Sequence, residues 1–164
     1  MSDPGIFFLC FRDREPAFFK RHVFVEIFSR GAFVPTSRFS DIEYADGYTN
    51  VFIKEDDEIS SLSFNRSWGD TFIKNLLELA DRTGSCIVDS DRNIVITDPG
   101  FLDHIPHELL DWDVHVVRSP EEFIKAIGWR APKPEDVAAH LANSAADRAH
   151  GSDHPGRYWP FVKK

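Results

Sequence analysis

Apolar positions along the chain follow three different spacings. Ile6-Phe7-Phe8-Leu9-Cys10-Phe11 is an unbroken apolar run, which predicts a central strand. From 40 to 65 the pattern turns to alternation. Ile42-Glu43-Tyr44, Tyr48-Thr49-Asn50-Val51-Phe52-Ile53 and Ile59-Ser60-Ser61-Leu62-Ser63-Phe64 predict three strands of a meander, turning first at Asp46-Gly47 and then at Glu55-Asp56-Asp57-Glu58. Beyond it the period lengthens again. Phe72, Ile73, Leu76, Leu77 and Ala80 recur at helical spacing, after Ser67-Trp68-Gly69-Asp70 and before Thr83-Gly84. These flanks read as a capping box with Ser67 as N-cap, and as a glycine stop.

The segment from 17 to 28 satisfies two patterns. Phe19, Val23 and Ile27 recur at i, i+4 and i+8, with Arg14-Glu15-Pro16 as a helix start and Gly31 as a stop. The same segment is rich in β-branched and aromatic residues, as strands are, so helix and strand both stay open. Farther on, Cys86-Ile87-Val88 and Ile94-Val95-Ile96 flank Asp89-Ser90-Asp91-Arg92-Asn93 as a hairpin. Asp98-Pro99 and Ile105-Pro106 open short helical turns, and Val114-His115-Val116-Val117 is a strand. Ser119-Pro120-Glu121-Glu122 is a second capping box, leading a helix with Phe123, Ile124 and Ile127 that stops at Gly128.

From Trp129 the character changes. Pro132 and Pro134 form a linker, 135–148 is Ala-rich with a thin stripe of Val137, Leu141 and Ala145, and Tyr158-Trp159-Pro160-Phe161 closes the chain with aromatics. The expected organisation is a 1–128 domain and a 129–164 C-terminal arm of linker, short helix and aromatic tail. The expected fold class is α+β, with a mixed, mainly antiparallel sheet, helices packed on one face, and the C-terminal helical arm. Aromatics are costly to leave in water. The tail is therefore expected to dock on the domain or on a second copy, the latter giving a homodimer through the arm.

Charge narrows the function. Among 164 residues the net charge is −8, which argues against nucleic-acid binding by counterion release. No apolar run approaches a membrane span. The opening Met1-Ser2-Asp3-Pro4 lacks the basic region of a secretory signal, so a cytoplasmic location is expected. The two cysteines, Cys10 and Cys86, sit in apolar runs and read as buried thiols. The acid is concentrated in 40–64, with seven acids and one base, and in 98–128, with seven acids and two bases.

Candidate chemistry is thin. Asp103-His104-Ile105-Pro106-His107-Glu108 has two histidines three apart, but Pro106 breaks any helix they would share, and the pattern is not His-Glu-x-x-His. Asp89-Ser90-Asp91 offers paired acids that a hairpin turn also explains. Arg66 precedes a helix start, where it could receive an anion or anchor the turn by an ion pair. There is no Gly-x-Ser-x-Gly elbow and no glycine-rich phosphate cradle. A metal-dependent hydrolase using Asp89, Asp91, His104 and His107 is the enzyme alternative, and a scaffold subunit dimerising through its tail is another. The preferred expectation has no catalytic residue, cofactor or metal.

What remains is aromatic residues set among carboxylates, the composition of interface anchors. The expected partner-binding set is Glu43, Tyr44, Tyr48, Glu55, Asp56, Asp57, Glu58 and Trp112. The order of Ile59–Arg66, Asn75–Asp81 and Cys86–Ile96, a strand, a capped helix and a hairpin, resembles the layout of small bacterial immunity proteins that neutralise toxins. That resemblance implies a non-catalytic acidic inhibitor filling the cleft of a basic toxin or enzyme.

Overall fold

The computed structural model describes residues 5–29, 32–35, 40–53, 57–65, 68–130 and 132–149, with side chains for all of these except 32–35, 40, 144 and 146–149. Among these residues twelve strands and four α-helices follow one another as β1 (Ile6–Leu9), β2 (Phe11–Arg12), β3 (Glu15–Pro16), β4 (Phe19–Lys20), α1 (Arg21–Phe28), β5 (Ala32–Pro35), β6 (Ser40–Tyr44), β7 (Gly47–Phe52), β8 (Glu58–Ile59), β9 (Ser61–Asn65), α2 (Asp70–Thr83), β10 (Cys86–Asp89), β11 (Asn93–Ile96), β12 (Asp113–Val116), α3 (Pro120–Ile127) and α4 (Pro134–Ala149). Eight strands form one sheet in the order β12-β11-β10-β1-β9-β7-β6-β5. Every pair in it is antiparallel except β11 with β12. This is the α+β class that the spacing predicts.

The apolar run at the start becomes β1, held between β9 and β10. Its neighbours Leu62 and Ile87 stand beside Phe8 on the face covered by α1, α2 and α3. The core on that face is a chain of rings. Phe24 stacks on Phe28 at 4.7 Å, Phe28 lies 5.9 Å from both Phe64 and Phe72, and Phe64 meets Phe72 edge-on at 5.2 Å. Such ring pairs add to the burial term, which dominates. On the other face a smaller cluster of Cys86, Val88, Ile94, Ile96 and Ile105 is covered by Phe101, Leu102, Leu109 and Trp112 from the 3₁₀ turns Pro99–His104 and His107–Leu109 and the loop beyond.

The 17–28 segment divides. Phe19-Lys20 pairs as a strand with Glu58-Ile59, and the helix starts only at Arg21. Its buried positions are Phe24, Ile27 and Phe28, so the buried face is turned relative to the Phe19, Val23, Ile27 stripe. Pro16 starts no helix. It lies in the small hairpin β2–β3, whose turn residues Asp13 and Arg14 have φ of 52° and 69°, as a two-residue turn of type I′ requires. Gly31 lies outside the described residues, and the helix ends on Ser29.

The first meander turn is Ala45-Asp46 rather than Asp46-Gly47, because Gly47 is already paired with Tyr44. Asp46 has another task. Its carboxylate accepts from Thr71 N and from Thr71 Oγ1, both at 3.0 Å, and so caps α2 from across the chain. The N-cap position itself is Gly69, not Ser67, which lies outside the described residues together with Arg66. A Cβ at Gly69 would stand 2.2 Å from the Asp46 carbonyl oxygen, so only glycine permits this approach of hairpin to helix. The other helix signals hold as read. Gly84 ends α2 with φ 66°, Ser119 Oγ accepts from Glu122 N at 3.2 Å, and Gly128 ends α3 with φ 69°.

Described residues beyond Gly128 lie against the domain. Trp129 lies tilted against the buried Trp68 with ring centroids 4.3 Å apart, and its Nε1 donates to the Trp68 carbonyl at 3.1 Å. Val137 of α4 is buried as well. The aromatic tail Tyr158–Phe161 lies outside the described residues.

Candidate functional site

Period-two alternation sorts the strand residues onto two faces. On the face away from α1–α3, the register sets Phe7 of β1, Ser63 of β9 and Phe52 of β7 in one row across three adjacent strands. Leu9 and Ser61 form a neighbouring row. The serines of β9 are short, so the two phenylalanines stand as walls over a low floor. Phe7 is 47% exposed, Phe52 48%, and Phe18, which joins them from the loop before β4, 59%. Together with Glu58, Ile59 and Ser60 they line a cleft of about 240 Å³. Among the described residues it lies open on the sheet face whose β10–β11 end the 3₁₀ turns cover.

Polar side chains gather elsewhere on that face. Asp41 and Glu43 of β6 stand opposite Asn50 and Tyr48 of β7. Asn50 Nδ2 donates to Asp41 Oδ1 at 2.5 Å. His140 of α4 lies flat on the Tyr48 ring, with centroids 3.6 Å apart and planes 5° apart, and its Nε2 is 3.4 Å from Glu43 Oε2. Asp41, Glu43 and His140 each bring one ligand atom within 4.8 Å of the other two. Among the described residues this is the group of histidine and carboxylate side chains that converges closely enough to hold an ion.

The expected partner-binding residues are dispersed. Tyr44 is buried, and its hydroxyl accepts from Asn75 Nδ2 at 2.8 Å, which removes it from any exposed face. Glu43 is buried too, and Tyr48 is half-covered by His140. Asp57 and Glu58 are exposed beside the cleft, with Glu58 pairing to Lys20 at 3.5 Å, while Glu55 and Asp56 lie outside the described residues. Trp112 packs on the smaller core cluster, its outer face beneath the Arg92 guanidinium at 5.6 Å. Outward serines at Ser61 and Ser63 between exposed phenylalanines were the available signal for the cleft. It was hidden because Phe7 sits inside an unbroken apolar run, where no alternation marks an outward face.

The residues of the enzyme alternative hold turns. Asp89 accepts from Asp91 N at 3.0 Å and from Asn93 N and Nδ2, both at 2.9 Å, closing the β10–β11 turn around Arg92 at φ 65°. His104 Nδ1 accepts from Asp13 N at 3.0 Å and His104 O from Arg14 N, seating the β2–β3 hairpin. His107 is exposed. Cys10 and Cys86 are both buried and free. Burial, and then the neighbouring Cys10, push the Cys86 thiol up to about 12, the opposite of what a nucleophile needs.

No family model matches the chain, and neither a curated protein nor a solved structure matches it. Among the described residues no helix is long and apolar enough to cross a membrane.

Proposed function

We propose that this protein is a non-catalytic binding module of the cytoplasm, an acidic inhibitor of the immunity type, whose basic protein partner docks over the Phe7–Phe18–Phe52 cleft. One observation carries the reading: three phenylalanines, each about half exposed, converge on a strip of sheet that no other described residue covers. Contiguous apolar surface of this kind is retained where another molecule removes it from water. Aromatic anchors ringed by polar groups supply most of the energy of such contacts.

Charge supports the sign of the partner. The cleft is bordered by Glu58, next to the exposed Asp57, on a chain of net charge −8. A negative rim raises the encounter rate with a basic surface and disfavours acidic ones. The affinity then comes from seating an apolar or long aliphatic side chain between the two phenylalanine walls, with the outward serines offering hydrogen bonds at the floor.

The test is capture from native lysate with the tagged full chain and with a Phe7→Ser/Phe52→Ser variant, followed by mass spectrometry and a salt series. The expected result is a stoichiometric basic protein held by the parent chain and lost from the variant, its on-rate falling with added salt. A partner held equally well by both chains, or a partner that is acidic, refutes the reading.

A further inference from the structure

We propose that Asp41, Glu43 and His140 form a binding site for one divalent transition-metal ion of the zinc class, which clamps helix α4 to the sheet. Position begins the argument. Asp41 and Glu43 are two apart on β6 and so share a face, and α4 sets His140 above them. The three ligand atoms lie within 4.8 Å of one another.

Distance and burial point to an ion rather than a simple ion pair. Zinc binds histidine nitrogen and carboxylate oxygen at about 2.0–2.2 Å in a tetrahedron, which places two of its ligands roughly 3.3–3.6 Å apart. His140 Nε2 and Glu43 Oε2 are 3.4 Å apart. A charge-assisted hydrogen bond would draw the same atoms to about 2.7–2.9 Å. The His140 Nε2 atom is nevertheless buried and takes part in no hydrogen bond among the described residues, an arrangement that costs free energy unless another acceptor of its lone pair is present.

Outer contacts hold the ligands in place, as metal sites require. The Asn50 amide fixes the Asp41 carboxylate, and the Tyr48 ring, parallel to the imidazole, fixes its plane. A dication bound by this set has its charge balanced by the two carboxylates. One imidazole with two carboxylates is a borderline donor set that suits zinc better than the all-oxygen shells of calcium or magnesium. Three protein ligands leave a fourth position for water.

The clamp joins distant parts of the chain, because Asp41 and Glu43 come from the meander and His140 from the segment beyond Trp129. Metal binding should therefore order α4 as well as stabilise the domain. It adds a site independent of the cleft and of the partner proposed there.

The experiment uses the full chain, stripped with chelator and dialysed, titrated with Co²⁺ by visible absorption and with Zn²⁺ by calorimetry. Glu43→Gln, nearly isosteric, and His140→Ala are compared with His104→Ala, which lies outside the cluster. The expected result is one ion per chain, a Co²⁺ band of four-coordinate intensity, binding weakened at least tenfold in both cluster variants, and no change in His104→Ala. Amide exchange read on the parent chain should show slower exchange in 134–143 with Zn²⁺ than without. Failure of the stripped parent to take up an ion, or binding as tight in either cluster variant as in the parent, overturns the proposal.

Discussion

Single atoms decide two features of this fold. At Gly69 the missing side chain lets the β6–β7 turn press on the start of α2, and Asp46 then does the capping that a local serine would otherwise do. Gly69→Ala should cost about 2 kcal/mol, since backbone at 2.2 Å has to move. Asp46→Ala should cost about 1 kcal/mol, the ordinary loss of a helix cap. Urea unfolding of both variants checks the order as well as the sizes. Cys86 supplies a pH dependence. Its folded thiol stays protonated up to about 12 against an ordinary value of 9.0, so in alkali the folded state binds the proton that the unfolded state releases. Stability from this group is complete below about pH 9 and is lost as the pH rises toward 12, by up to about 1.4 kcal/mol per pH unit. Urea midpoints measured from pH 8 to 11 should fall in the parent and fall less steeply in Cys86→Ala.

At the scale of elements, signals confined to a few neighbouring residues were legible. The Ser119 box, the Gly84 and Gly128 stops and the period of α2 all act within one or two turns, and each appears where the sequence places it. Ser119→Ala should therefore lower stability by about 1 kcal/mol, seen as an earlier urea midpoint. Signals that depend on a distant partner misled. Asp46-Gly47 has the composition of a turn, but the helix recruits Asp46 and shifts the turn by one residue. Pro16 has the composition of a helix start, but Asp13 and Arg14 adopt the left-handed region and fold the chain into β2–β3, steadied by His104 from far along the sequence. Residues 17–28 are strand and then helix, because Phe19 pairs with Ile59 while its ring packs edge-on against Phe8, and the helix begins only at Arg21. Candidate sites depend on the same distant contacts. Nothing near Asp41 and Glu43 in sequence announces His140, and nothing near Phe7 announces Phe52.

For the molecule as a whole, the described part of the segment beyond Gly128 makes contact with the domain. Trp129 covers Trp68, Val137 is buried and His140 lies on Tyr48. Truncation after Gly128 should lower the melting temperature by several degrees and red-shift tryptophan emission, because the Trp68 ring is then wetted. Unchanged melting and emission would show that the domain does not depend on this packing. Surface charge acts at the same scale but in a different way. Asp57 and Glu58 are exposed, and the Glu58–Lys20 pair is open to solvent, so reversing both acids to lysine should leave the melting temperature within about 1 °C. Association with a basic partner at low salt should slow at least about tenfold, as stopped-flow mixing across a salt series would show.

The place of β1 in the sheet has a consequence for biosynthesis. Ile6-Phe7-Phe8-Leu9 leaves the ribosome before either strand that will flank it, and neither Ser61–Asn65 nor Cys86–Asp89 is local to it. Until both have been made, a sticky ribbon with two unpaired edges must be kept from other chains. Closing such a sheet from its centre is slow, because long loops must be shut before any pairing rewards them. The nascent chain is thus a natural client for a holding chaperone, and aggregation during synthesis should track the hydrophobicity of these four residues rather than the stability of the finished protein.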